Sequence, residues 1–294
     1  MAGATASPSV PAGHPTVPGT FEQVLKLTRY QLREYLRSLR FVALVGIVLG
    51  IAAILTAIVA HFRGGIIASS LAFYGSAWGG GISFVIVLAA VFFGGDAIAG
   101  EFQNKTGYFL MGLPIRRGTI YVGKFIAAYA ASVSVMGIYL AALLANGAYY
   151  FGSGALPWQL GLSFGIGLVY LAAVLGTTFV FSSLFKTSAY GFVLTALLFL
   201  VGFSIIEAVL EDLANLQPFM IISYASDTMA SVFSTGVNWG LKGVETTSVM
   251  MVGRRSITTN AFAAGVGQGL VVMLVYLIET FAVGLWLFER EEFT

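Results

Sequence analysis

The sequence predicts an all-α membrane protein with six transmembrane helices, and three observations carry that prediction. Hydrophobic residues fill 58% of the 294 positions and charged residues only 10%, whereas an ordinary soluble domain has about a quarter of its residues charged. Several apolar runs reach the roughly 20 residues that a helix needs to cross a bilayer, and one interval, Phe125 to Phe185, holds no charge at all. The remaining basic residues sit beside these runs. They form no patch interleaved with exposed aromatics, so a net charge of +2 gives no reason to expect a nucleic-acid role. With no cysteine, the chain has no disulfide, thiol nucleophile, zinc ribbon or iron–sulfur site.

Residues 1–20 are rich in Pro, Gly, Ala, Ser and Thr without an apolar core, which reads as a disordered tail and not as a signal-peptide core. His14 lies there with no second ligand nearby, so a solvated side chain is the simpler reading than a metal site. The rest, 21–294, reads as one transmembrane domain. From Phe21 to Arg40, Phe21, Leu25, Leu32, Leu36 and Leu39 form one helical stripe. Lys26, Arg29, Arg33, Arg37 and Arg40 form another. That pattern suits a helix lying in the headgroup plane.

The six spans are expected at about 41–60, 71–94, 125–149, 158–184, 189–206 and 261–288. Gly79-Gly80-Gly81 interrupts the second, where missing side chains permit close helix contact or a kink. Between the second and third spans, residues 95–125 combine charge, turn residues and helix formers. A short helix over roughly 97–112, a break at Pro114 and a new helix from about Thr119 follow from the geometry of proline. Tyr149, Tyr150, Phe151, Pro157 and Trp158 suit a membrane interface between spans 3 and 4. The interval 211–260 is long for a plain connection. Its first half, to Val232, is too apolar for a solvated loop and too interrupted to span, so it reads as re-entrant or interfacial helices; its second half, Asn238 to Thr259, is expected to be exposed.

With the N-terminus inside, eleven of the fifteen basic residues fall on inner segments, and only Arg63, Lys242, Arg254 and Arg255 fall outside. The positive-inside rule then places both termini in the cytoplasm of a cell membrane. Glu279 is the one carboxylate deep in a span. It lies nine residues before Phe288, about 13 Å into the bilayer at 1.5 Å per residue, and is expected to face protein or water.

The string Asp96, Ile98, Glu101, Thr106, Leu110, Pro114, Arg117, Gly123 and Lys124 resembles a segment of the type-2 permease subunits of ATP-binding-cassette (ABC) transporters, in their six-span form. The resemblance implies that this segment is a cytoplasmic coupling helix docking on a separate ATPase. It further implies an elbow role for residues 21–40, export as the direction, and a second permease copy or paralogue as partner in the bilayer. Within the segment, Phe102, Phe109 and Leu113 are expected to form an apolar docking centre, with Asp96, Glu101, Thr106, Pro114, Arg116, Arg117 and Lys124 around it and Glu101 and Arg117 pairing across the interface.

No site for chemistry competes with this reading. Gly118 to Lys124 nearly matches a Walker A loop, but Phe125 stands where the magnesium-binding hydroxyl belongs and no strand precedes it. No cofactor is therefore expected on this chain; ATP and Mg would be bound by the partner ATPase. Asn104-Lys105-Thr106 matches a glycosylation sequon, but the expected topology puts it in the cytoplasm. Two distant histidines and no Gly-x-Ser-x-Gly leave no nucleophile–base pair or metal cluster, and Gly265, Gly267 and Gly269 suit helix packing better than a phosphate loop. The rival reading is a self-sufficient secondary transporter or channel using Glu279 for ion coupling.

Overall fold

The computed structural model describes residues 19–61, 69–105, 115–152, 154, 156–214, 216–234, 237–252 and 255–290. Of the expected tail, only Gly19 and Thr20 fall within the described residues. Helix α1, Thr20–Arg37, is followed almost directly by α2, Leu39–His61. Then come α3, Ser70–Tyr74, and α4, Ile82–Gly94, separated by a π-helical turn at Gly75–Gly79, and the short α5, Ala99–Gln103. Next are two long helices, α6, Arg117–Phe151, and α7, Gln159–Leu184. The next stretch comprises α8, Ser188–Leu197, and α9, Phe203–Ala208, with π turns at Leu198–Gly202 and Val209–Leu213. Two short helices, α10, Ile222–Ser226, and α11, Thr228–Ser231, precede the last helix, α12, Val266–Arg290.

Six stretches are long and apolar enough to cross a bilayer: Leu39–Val59, Ser70–Gln103, Arg117–Phe151, Gln159–Leu184, Ser188–Glu211 and Val266–Arg290. They are spans 1 to 6 of an all-α membrane protein. Spans 2 and 4 form its centre, with 72% and 61% of their apolar windows buried within the chain, against 11% for spans 5 and 6. Span 6 packs along span 4, and α1 lies against span 3.

The glycine run in span 2 serves both of its expected purposes. The helix widens into a π turn there and breaks at Gly80-Gly81. A Cβ at Gly81 would lie 2.6 Å from the Tyr139 hydroxyl, and one at Gly79 would lie 2.8 Å from Ala230 Cα. The Tyr139 hydroxyl donates to Ala77 O at 2.6 Å. Next to it Trp78, fully buried, donates to Ser163 Oγ at 3.0 Å, and Ser163 donates to Met229 O at 2.7 Å. These contacts seat α11 against spans 2 and 4.

Three boundaries depart from the sequence reading. The second half of the 211–260 interval is not a plain exposed loop. It contains an antiparallel hairpin, β1 Val244–Val252 with β2 Arg255–Ala263, in a register running from Val244↔Ala263 to Val252↔Arg255. Ala261–Ala263 therefore belongs to β2, and span 6 starts at Val266. Recurring Val, Thr and Ile along both strands supply the β preference; apolar counting assigns only Ala261–Ala263 to the neighbouring helix. At the hairpin base Phe262 packs against a small cluster of Ile221, Tyr224 and Ala264. Finally, α5 ends at Gln103 instead of running to 112, because Lys105 takes φ +55°, a left-handed value that terminates helices.

Candidate functional site

Of the predicted docking residues, Thr106, Phe109, Leu113 and Pro114 lie outside the described residues; the others lie at the end of the bundle where α1, the C-terminal part of span 2 and the start of span 3 converge. Helix α4 ends at Gly94, residues 95–98 form a bend, and α5 leaves it. Asp96 in the bend is ion-paired with Arg40 at the start of span 1. Glu101 on α5 accepts from Lys124 Nζ at 2.6 Å, and the same ammonium donates to Ala97 O at 2.8 Å. Lys124 is 4% exposed and Glu101 20%. A buried ion pair with good geometry contributes little net stability, but removing one partner leaves a costly uncompensated charge.

The two carboxylates and Lys124 are thus each paired inside the chain, with part of the Glu101 side chain still exposed. Arg117 likewise donates to Glu289 O at 3.0 Å, linking the start of span 3 to the end of span 6. Arg116 is exposed at the N-cap of α6. Phe102 is half-buried and packs against the core.

Beside these pairs α1 walls one side of an open hollow of about 670 Å³ lined by Gln31, Glu34, Arg40, Asp96, Glu101 and Lys124, among others. Tyr35, beside it, has a fully enclosed hydroxyl with no hydrogen-bond partner among the described residues. Burial pushes its phenol well above the usual range, and the Asp96 and Glu34 charges add to this, so it stays neutral. A second, smaller hollow of about 290 Å³ lies on the other side of the Arg40–Asp96 pair, against Phe92 and Phe192.

Sequence reasoning missed Ser182 of span 4. Its Oγ accepts from Ile98 N and Ala99 N, both at 3.0 Å, and donates to Gly95 O at 3.1 Å. Nothing marks one serine in an apolar run as the acceptor for a bend more than eighty positions earlier. The Arg40–Asp96 pair was equally invisible, because Arg40 reads as one more member of the basic stripe.

Glu279 stands apart, near the middle of span 6 and exposed on the surface of the chain. Among the described residues no group of three or more His, Cys, Asp or Glu is placed to hold a metal ion. At the opposite end of the bundle, Ser223 Oγ donates to Glu207 at 2.7 Å. Beside them Asp227 keeps more than a third of its surface exposed, yet its carboxyl is crowded enough to be desolvated. With the Glu207 and Glu211 charges, that pushes its pKa up to about 7.

The family described as ABC-2 family transporter protein matches residues 20–293. No curated protein matches the chain with significance.

Proposed function

Because the chain belongs to the ABC-2 family of transporter proteins, a family of membrane transport components and not of enzymes, we propose that it is the transmembrane permease subunit of an ATP-driven exporter. Two permeases, identical or paralogous, form the pathway in the cell membrane with both termini in the cytoplasm. Two separate ATPase subunits, holding the ATP and Mg, dock on residues 95–125. The single observation that carries the docking role is the junction itself: Asp96–Arg40, Glu101–Lys124 and Arg117–Glu289 tie the segment to spans 1, 3 and 6. A push on it is therefore felt across the bundle.

Since Glu101 and Lys124 are committed to each other, the docking charge is best sought at Arg116, with the apolar contribution from Phe102, Phe109 and Leu113. Losing a hydrogen-bonded charge at such a contact costs about 2–5 kcal/mol of binding. Arg116→Glu should leave the permease inserted but abolish co-elution of the ATPase. Undiminished co-elution would remove Arg116 from the interface.

The ion-coupled alternative draws on Glu279, a carboxylate exposed at mid-span, where ionisable side chains usually serve transport. It predicts that the purified chain alone moves substrate and that Glu279→Gln abolishes this. ATP-dependent transport that survives the substitution over a wide pH range excludes it.

A further inference from the structure

We infer that Ser182 is the positioning residue that fuses the 95–98 bend to span 4, so that movement of α5 is delivered to span 4 instead of being absorbed by bending span 2. The inference rests on the reading of residues 95–125 as the segment a partner moves.

Breaking a helix leaves backbone groups without intrahelical partners, and buried ones must be satisfied elsewhere. Between α4 and α5 four such groups are Ile98 N–H, Ala99 N–H, Gly95 C=O and Ala97 C=O. Three of the four are met by one hydroxyl, Ser182 Oγ, and the fourth by Lys124 Nζ. A serine hydroxyl has one proton and two lone pairs, so Ser182 is saturated by the bend. It is fully buried.

On the side facing spans 4 and 5 the bend is tightly packed. A Cβ at Gly191, in span 5, would lie 2.8 Å from Gly95 O and 3.5 Å from Ser182 Cα, and a Cβ at Gly95 would lie 3.1 Å from Phe192 Cα. Three backbones touch at this point, with Ser182 as the hydrogen-bonding element among them. Without its hydroxyl, two buried N–H groups lose their acceptor. The chain then recovers them by straightening α4 into α5 or by admitting water, and either change frees α5 from span 4.

The absence of native cysteine makes the test clean. Spin labels on Asn104→Cys, just past α5, and Gly161→Cys, at the far end of span 4, report the joint. Gly161 has open space for a side chain, and the 26-residue span places the labels on the order of 35 Å apart. Gly161→Cys with Val283→Cys is the control between spans 4 and 6. In the full chain in lipid nanodiscs, the wild-type background should give one narrow distance for each pair. Ser182→Ala should broaden or split the 104–161 distance while leaving 161–283 unchanged, and Ser182→Thr, which restores a hydroxyl, should return the single distance. An unchanged 104–161 distance in Ser182→Ala, or equal broadening of both pairs, overturns the inference. The measurement uses no ATPase, so failure of the joint and failure of the docking proposal are told apart.

Discussion

Removing the Glu101 carboxylate should destabilise the fold, because Lys124 is then left buried with a single acceptor. In the intact protein the ammonium has a carboxylate at 2.6 Å and Ala97 O at 2.8 Å and is 4% exposed. Breaking a buried pair costs about 3–5 kcal/mol. Glu101 itself is 20% exposed, so water can enter its vacated place, and a loss of about 2–3 kcal/mol is the better expectation for Glu101→Ala. At roughly 2–4 °C per kcal/mol for a large domain, the melting temperature in detergent should fall by about 5–10 °C, read from tryptophan fluorescence. The double variant Glu101→Leu with Lys124→Met should recover most of that loss, since replacing a whole buried pair by apolar groups is often close to neutral. If Glu101→Ala melts with the wild type, or the double variant melts no higher than the single one, then Lys124 is not the buried, pair-dependent cation described above.

Other outcomes follow from the same geometry. Gly79→Ala should destabilise by about 1–3 kcal/mol through overpacking, since its Cβ would meet Ala230 backbone at 2.8 Å, whereas Gly137→Ala, with nothing within 4 Å, should be neutral or slightly stabilising; thermal unfolding of the two variants separates them. Asp227, lifted from its ordinary 3.8 to about 7 by burial, Glu207 and Glu211, holds its proton more tightly in the folded state. Its contribution is fully present below pH 3.8 and lost as pH rises to 7. Asp227→Asn should therefore melt higher than wild type at pH 8 and converge with it near pH 4; the reverse order would contradict the raised pKa. A cysteine at Asn104 should resist an impermeant reagent added outside the cell and react once the membrane is opened, as the cytoplasmic placement requires.

Much of the architecture was legible because a transmembrane helix is written locally, as about twenty apolar residues. All six spans could be placed that way, and Gly79–Gly81 marked the irregular point of span 2. What remained hidden depends on partners distant in sequence. Ser182 and Arg40 acquire their roles from the 95–98 bend, and Lys124, readable as a motif residue, turns inward to Glu101 and Ala97 O. The early stop itself rests on the backbone of Lys105, not on a proline or glycine. The β1–β2 hairpin escaped because Lys242, Glu245, Arg254 and Arg255 mark the stretch as exposed without revealing its strand pairing, and Ala261–Ala263 continues the apolar run of span 6.

The account stands or falls on whether an ATPase sits against residues 95–125. A photo-crosslinking amino acid placed at Asn104 in native membranes, with Gly161 as the control site, tests this directly when adducts are identified by mass spectrometry. An ATP-binding-cassette ATPase captured from position 104 and not from position 161 is the predicted result; capture from 161 alone, or only lipid adducts at 104, would contradict it.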